Sequence, residues 1–274
     1  MSADRPIPVC YRHPDRETRL GCSSCGRPVC VECVRSASVG QLCPDCVAAR
    51  GSQQVISAEQ VRTPTAARVS MTLLGACVAL FLAGLVIPGL GNEMFLLGAQ
   101  FNRVVAAGEW WRLLTAGFLH ADVAHILFNM MALYILGPHL EREVGSAAFA
   151  SLYFASMLAG GAAFFLLNAD GVAVGASGAI FGLFGAWLAV AFRNRHTAWG
   201  RSGLNQLLLL LGINLALPLF IPRIAWEAHL GGLLAGLVIA GLWTLPALRG
   251  RGRSARRALV GVVMAAATVA LVAL

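Results

Sequence analysis

Charge is what this sequence has least of. Only 12% of its 274 residues are Asp, Glu, Lys or Arg, about half the share of an ordinary soluble domain. Set beside 58% hydrophobic residues and a mean hydropathy of +0.71, that shortage excludes a soluble globular fold for most of the chain. Cysteine is scarce everywhere but the beginning: seven of the eight lie before residue 50, and only Cys77 lies beyond. Cys77 sits inside an apolar run and reads as packing. The first 68 residues lack any long apolar run, so no secretory signal is visible and the N-terminus is expected in the cytosol. No convincing internal repeat is found, which counts against a transporter built from repeated halves. The net charge of +8 does not require nucleic acid as a partner. The arginines lie mainly in loops, where they act as topology signals.

What is present after Arg68 is a series of apolar runs near the ~20 residues that span a bilayer. Spans are expected at 69–87, 124–140, 148–167, 177–192, 204–221, 227–243 and 258–274, which makes an all-α polytopic membrane protein with seven helices. The loop from Arg193 to Arg201 carries three arginines, and Arg249 to Arg257 carries five. Both are cytosolic if the chain starts inside, so the C-terminus falls on the outer side of the cell membrane. Residues 89–123 form a long connection containing Glu109-Trp110-Trp111-Arg112. Tryptophan and arginine suit the headgroup level, so this segment should lie at the interface.

Residues 1–50 read as a separate module. Its pairs are Cys10-x-x-His13, Cys22-x-x-Cys25, Cys30-x-x-Cys33 and Cys43-x-x-Cys46. Eight ligands satisfy two tetrahedral zinc ions with no position left open, as structural sites require. A cytosolic setting keeps thiols reduced and disfavours disulfides. So short a module has little core, and the metal must supply much of its folding free energy. Residues 51–68 are polar and read as a linker, with a short helix expected around Ala58 to Arg62.

The candidate chemistry centres on Gly175-Ala-Ser177-Gly178, where a polar turn gives way to an apolar run. A serine between glycines can be approached closely, but its hydroxyl needs a base. His229, an ionisable residue in a membrane segment, is the candidate. His229, Gly232, Gly236 and Ala240 form one helical stripe, and Gly178, Gly182 and Gly185 offer a facing one. Packing those stripes would bring Ser177 and His229 within hydrogen-bond reach. His125 and Asn129 share a face at i, i+4. They read equally well as catalytic donors or as polar glue between helices.

These motifs together resemble the rhomboid family of intramembrane serine proteases. The resemblance covers roughly residues 69–243 and rests on Trp111-Arg112, His120-x4-His125-x3-Asn129, Gly175-x-Ser177-Gly178 and Ala228-His229-x-x-Gly232-x3-Gly236. It implies a six-helix core, a basic cytosolic loop at 244–257 and a seventh helix at 258–274. Ser177 would be the nucleophile and His229 the base, with no carboxylate as a third member. His125, Asn129 and the Ser177 N–H would form the oxyanion hole. Phe181 stands where the family often has a tyrosine that stacks on the base. Glu141 resembles an acid that anchors the cytosolic end of the second span. The implied substrates are single-span membrane proteins in the lipid bilayer; the alternative is an inactive relative acting as a binding or quality-control factor. The N-terminal pattern resembles a B-box-type zinc finger, which implies Cys10, His13, Cys30 and Cys33 on one ion and Cys22, Cys25, Cys43 and Cys46 on the other. A cytosolic protein partner for that module is the corresponding expectation.

Overall fold

The structure is a computed structural model that describes residues 7–37, 40–49, 66–220, 224–248 and 252–273. The chain divides into two compact units, residues 1–63 and 64–274. In the first, β1 (Val9–Cys10) pairs antiparallel with β2 (His13–Glu17), and β3 (Arg35–Ser36) pairs with β4 (Gln41–Leu42). One short helix, α1 (Pro44–Ala49), follows. Strands this short are not stable alone. Their buried cluster is made largely of cysteines, with Val29 and Leu42, so little apolar core supports these strands. The helix expected around Ala58 to Arg62 lies outside the described residues.

The second unit is helical because its runs are apolar with few breakers. It comprises α2 (Arg68–Val86), α3 (Leu90–Gly98), β5 (Gln100–Phe101), α4 (Asn102–Ala106), α5 (Arg112–Thr115), α6 (Val123–Val144), α7 (Ser146–Leu167), β6 (Val172–Ala173), α8 (Ser177–Arg193), α9 (Ala198–Ala216), α10 (Trp226–Leu242) and α11 (Arg253–Ala273). Among the described residues, α2, α6, α7 and α11 are long and apolar enough to cross a membrane, and α8 and α10 are shorter apolar helices. The expected boundaries shift in three places. The second helix runs on to Val144 because Glu141 turns inward and is buried. The fifth begins at Ala198, six residues early, because Thr197 Oγ1 accepts the Gly200 N–H at 3.0 Å and caps it. The last begins at Arg253.

α7 is the central helix. Phe149, Leu152, Tyr153, Ala155 and Ser156 are fully buried, and α8, α10 and α11 all pack on it, with Gly261 of α11 against Ser151. Outward-facing Leu82, Leu85, Phe128, Ile135, Leu209, Val262 and Leu271 stand exposed. Water penalises so much contiguous apolar surface; lipid tails do not.

Glu141 joins three helix ends. Its carboxylate accepts the backbone N–H groups of Val69 (3.0 Å) and Ser70 (2.9 Å), plus the hydroxyls of Ser70 (2.6 Å) and Ser146 (2.6 Å). A buried carboxylate survives where donors surround it. Here it caps the start of α2 and holds the start of α7, which ties both to the end of α6.

Candidate active site and metal centres

The site begins with a backbone contact. A Cβ added at Gly232 would overlap the carbonyl oxygen of Gly178, and one at Gly236 would overlap that of Gly182. The two expected stripes therefore do face each other, with α8 and α10 in direct main-chain contact. α7 adds a third small surface that sequence reasoning missed: a Cβ at Gly160 would lie 2.7 Å from Ala228 O and 3.2 Å from Gly178 Cα. The neighbouring Ala159 extends that surface, since its carbonyl oxygen would lie 2.6 Å from a Cβ at Gly231 of α10.

Ser177 is the first residue of α8, so its backbone N–H has no acceptor within the helix. One turn on, Phe181 stacks on His229 with ring centroids 4.1 Å apart and planes 8° from parallel. Residues i and i+4 share a helix face, which puts Ser177 and Phe181 on the side His229 covers. The Ser177 hydroxyl makes no hydrogen bond to a described residue, and His229 Nδ1 is buried with no partner among the described residues. The stripes thus bring the two residues to one place without the hydrogen bond their packing predicts. Such bonds are often loose before substrate binds. Among the described residues no carboxylate reaches His229: Asp170 is paired with Arg103 at 2.6 Å, and Glu227 accepts from Asn168 at 3.5 Å. The Arg103 guanidinium holds the Asp170 carboxyl below its ordinary range.

On the facing helix, α6 is capped by Asp122, which accepts the His125 N–H at 2.8 Å. His125 Nε2 lies against Gly175, where a Cβ would come within 2.6 Å of it. Gly175 also has φ +121, so both space and conformation exclude a side chain. Asn129 is buried, donates from Nδ2 to His125 O at 2.9 Å, and keeps Oδ1 without a partner among the described residues. His120 packs edge-on against His125 at 5.1 Å, with both ring nitrogens buried and without a partner among the described residues. His125, with His120 packed on it, therefore lies against the loop before Ser177.

The 89–123 segment holds that loop. β5 pairs antiparallel with β6, Gln100 opposite Ala173 and Phe101 opposite Val172. Gly175 N donates to Ala116 O at 2.9 Å. Gln100 Nε2 reaches Gly161 O at 2.8 Å, and Asn102 Nδ2 reaches the carbonyls of Phe164 and Asn168. Arg112 is buried within the protein. It donates to Leu96 O (2.9 Å) and Ala99 O (2.8 Å) and pairs with Glu109, while Trp111 stays exposed. Irregular backbone at membrane depth survives only when protein satisfies it in this way. Gln100 and Asn102 were missed by sequence reasoning; only their polarity in an apolar region marked them.

The N-terminal unit brings its ligands together in the interleaved sets. Cys10, His13, Cys30 and Cys33 form one group, and Cys22, Cys25, Cys43 and Cys46 the other, with ligand atoms within 4.8 Å of one another. His13 Nδ1 lies 3.8, 3.4 and 3.4 Å from the sulfurs of Cys10, Cys30 and Cys33. Around a tetrahedral zinc, with its ~2.0 Å Zn–N and ~2.3 Å Zn–S bonds, that separation is about 3.5 Å. Cys25 and Cys43 sulfurs are 3.8 Å apart, again the tetrahedral edge. Arg27 donates to Cys25 Sγ at 3.3 Å and lowers its thiol. Burial and neighbouring thiols push Cys33 up to about 11; a divalent cation would let all the thiolates in a set coexist.

A multi-pass helical membrane protein with a serine and histidine at one set of helix ends is the class these features define. The Rhomboid domain family matches residues 107–245, a segment that contains every catalytic candidate. Rhomboid protease GluP of Bacillus subtilis (strain 168) is 41% identical over 149 residues, covering 54% of this chain and 29% of GluP, so less than a third of that relative is spanned. YdcA of the same strain, a putative rhomboid protease by name, is 40% identical over 142 residues, covering 51% of this chain and 70% of YdcA. RHOMBOID-like protein 5 of Arabidopsis thaliana is 39% identical over 151 residues, covering 52% of this chain and 47% of that protein. The chain belongs to the rhomboid family.

Proposed function

We propose that this protein is an intramembrane serine endopeptidase that cleaves single-span membrane proteins near the outer side of the cell membrane. The observation that carries the reading is the flat stack of Phe181 on His229, one helical turn from Ser177. In the proposed reaction, His229 takes the Ser177 hydroxyl proton as Oγ attacks the scissile carbonyl carbon. The developing oxyanion is met by the Ser177 N–H, Asn129 Nδ2 and His125. His229 then protonates the leaving amine, and a water activated by the same imidazole releases the acyl group from Ser177. Asp170 and Glu227 are engaged elsewhere, which favours a dyad. Ring stacking in place of a carboxylate would orient the base.

Residues 1–50 are proposed as a cytosolic B-box-like domain with two structural zinc ions, joined by a 51–68 linker to a six-span core at 69–243. A basic cytosolic loop at 244–257 and a seventh span at 258–274 follow, with the C-terminus on the outer side. The zinc domain would bind a cytosolic protein or a substrate tail. The test of the enzymatic reading is cleavage of a generic single-span substrate in liposomes. Ser177→Ala and His229→Ala should each abolish it while the protein still inserts. Full cleavage by purified Ser177→Ala would sink the mechanism, because the scheme offers no other activated hydroxyl.

A further inference from the structure

At the ends of α6, α8 and α10 opposite to Ser177 and His229, a cavity of about 620 Å³ opens. Its walls carry Arg193, Arg253 and Arg257 against a single carboxylate, Glu143, together with Trp187, Trp199 and Trp243. Two of the three guanidinium groups have no partner among the described residues. Arg193 and Arg253 are exposed and make no hydrogen bond or ion pair with a described residue. Among the described residues, Arg257 lies over the Trp243 ring at 5.7 Å, gives one long bond to Trp243 O at 3.5 Å, and keeps Nε buried and without a partner. Three helix C-termini account for some attraction to cations, but of these three arginines only Arg257 contacts such a carbonyl among the described residues.

A second, apolar groove of about 480 Å³ adjoins it, lined by Leu188, Phe192, Leu204, Leu208, Leu237 and Gly241. Arg193, Ala189 and Thr244 line both spaces, so the groove along α8, α9 and α10 leads into the basic cavity. An anionic head and an apolar tail are needed to fill such a pair. Arginine forks suit phosphate oxygens in two-bond contacts, and tryptophans stand at headgroup level. α8 and α10, at 17 residues each, span about 25 Å, which separates this place from the candidate catalytic residues and makes it a different site.

We propose that the cavity seats the headgroup of an anionic glycerophospholipid from the adjacent leaflet, with an acyl chain along the apolar groove. This rests on the protein's membrane seating and not on the catalytic dyad. The test is native mass spectrometry of the full chain in neutral detergent, titrated with phosphatidylglycerol and, separately, phosphatidylcholine. Each arginine near a charged headgroup is worth roughly a five-fold change in affinity. The wild type should therefore hold phosphatidylglycerol at least ~10-fold more tightly than phosphatidylcholine. The double variant Arg193→Gln/Arg253→Gln should weaken phosphatidylglycerol roughly 30-fold and leave phosphatidylcholine unchanged. Leu208→Trp, which keeps every arginine and fills the groove at a half-exposed position, should weaken both lipids; it keeps the test open should the double variant fail to fold. Equal affinity for the two lipids, or a folded double variant that retains phosphatidylglycerol, would overturn the site. Displacement of phosphatidylglycerol by millimolar inorganic phosphate would show a soluble anion instead and overturn the lipid.

Discussion

His229 has no acid behind it among the described residues, and its buried Nδ1 is unpartnered there, so in the proposed mechanism the stacked ring of Phe181 is what holds the plane of the imidazole. An aromatic pair of this kind is worth about 0.5–1.5 kcal/mol. Phe181→Leu should accordingly lower kcat/KM roughly 2- to 12-fold, whereas Phe181→Tyr keeps the ring and should remain near wild type. Cleavage kinetics in liposomes check this, and a Leu variant as active as the Tyr variant would remove orientation from the ring's role. Asn129 is the other informative side chain, because it is buried with part of its amide unused. Loss of one oxyanion donor costs about 2.7–4 kcal/mol of barrier. Asn129→Ala should show that loss in kcat with KM little changed; the reverse pattern would make Asn129 a substrate contact or helix glue.

Between helices, the controlling feature is backbone on backbone. Gly232→Ala would drive a methyl into the Gly178 carbonyl, whereas Gly241 has open space around it. The first should destabilise the protein by about 1–3 kcal/mol, the usual cost of overpacking, and depress cleavage. Gly241→Ala on the same helix should be neutral or slightly stabilising. Thermal unfolding in detergent distinguishes them, and equal melting points would mean that α8 and α10 part easily. This contact was legible in the sequence because small residues recurred at helical spacing on two segments. The part played by α7 was not: Gly160 meets both partners, yet a central helix is apolar on all faces and shows no stripe. Nor was the hold on the Ser177 loop legible. It depends on a two-residue strand pairing across about seventy positions and on Gln100 and Asn102 reaching carbonyls of α7, which no local pattern encodes. Arg112 was found as a motif residue, but its burial and its carbonyl partners came only from the folded chain.

For the molecule as a whole, two units with separate cores should fail separately. Chelation, or acidification that protonates the thiolates competing for metal, should release two zinc ions per chain and unfold the N-terminal unit. Cys22→Ala should do the same to its own set. Hydrogen exchange should then rise across residues 7–49 while α7 stays protected. A chain beginning at Arg62 should still insert and still cleave; a well-folded but inactive one would make the zinc unit part of the catalytic machine. The Glu141 knot has a further consequence for the order of biogenesis. All its donors lie between Val69 and Ser146, so this contact can lock before α8, the helix that starts with Ser177, has been translated. His229 follows Ser146 by about eighty residues, which at ribosomal speed is roughly 4 to 17 seconds. During that interval the nascent chain holds α2, α6 and α7 already joined at Glu141 and, on the proposed mechanism, no complete dyad.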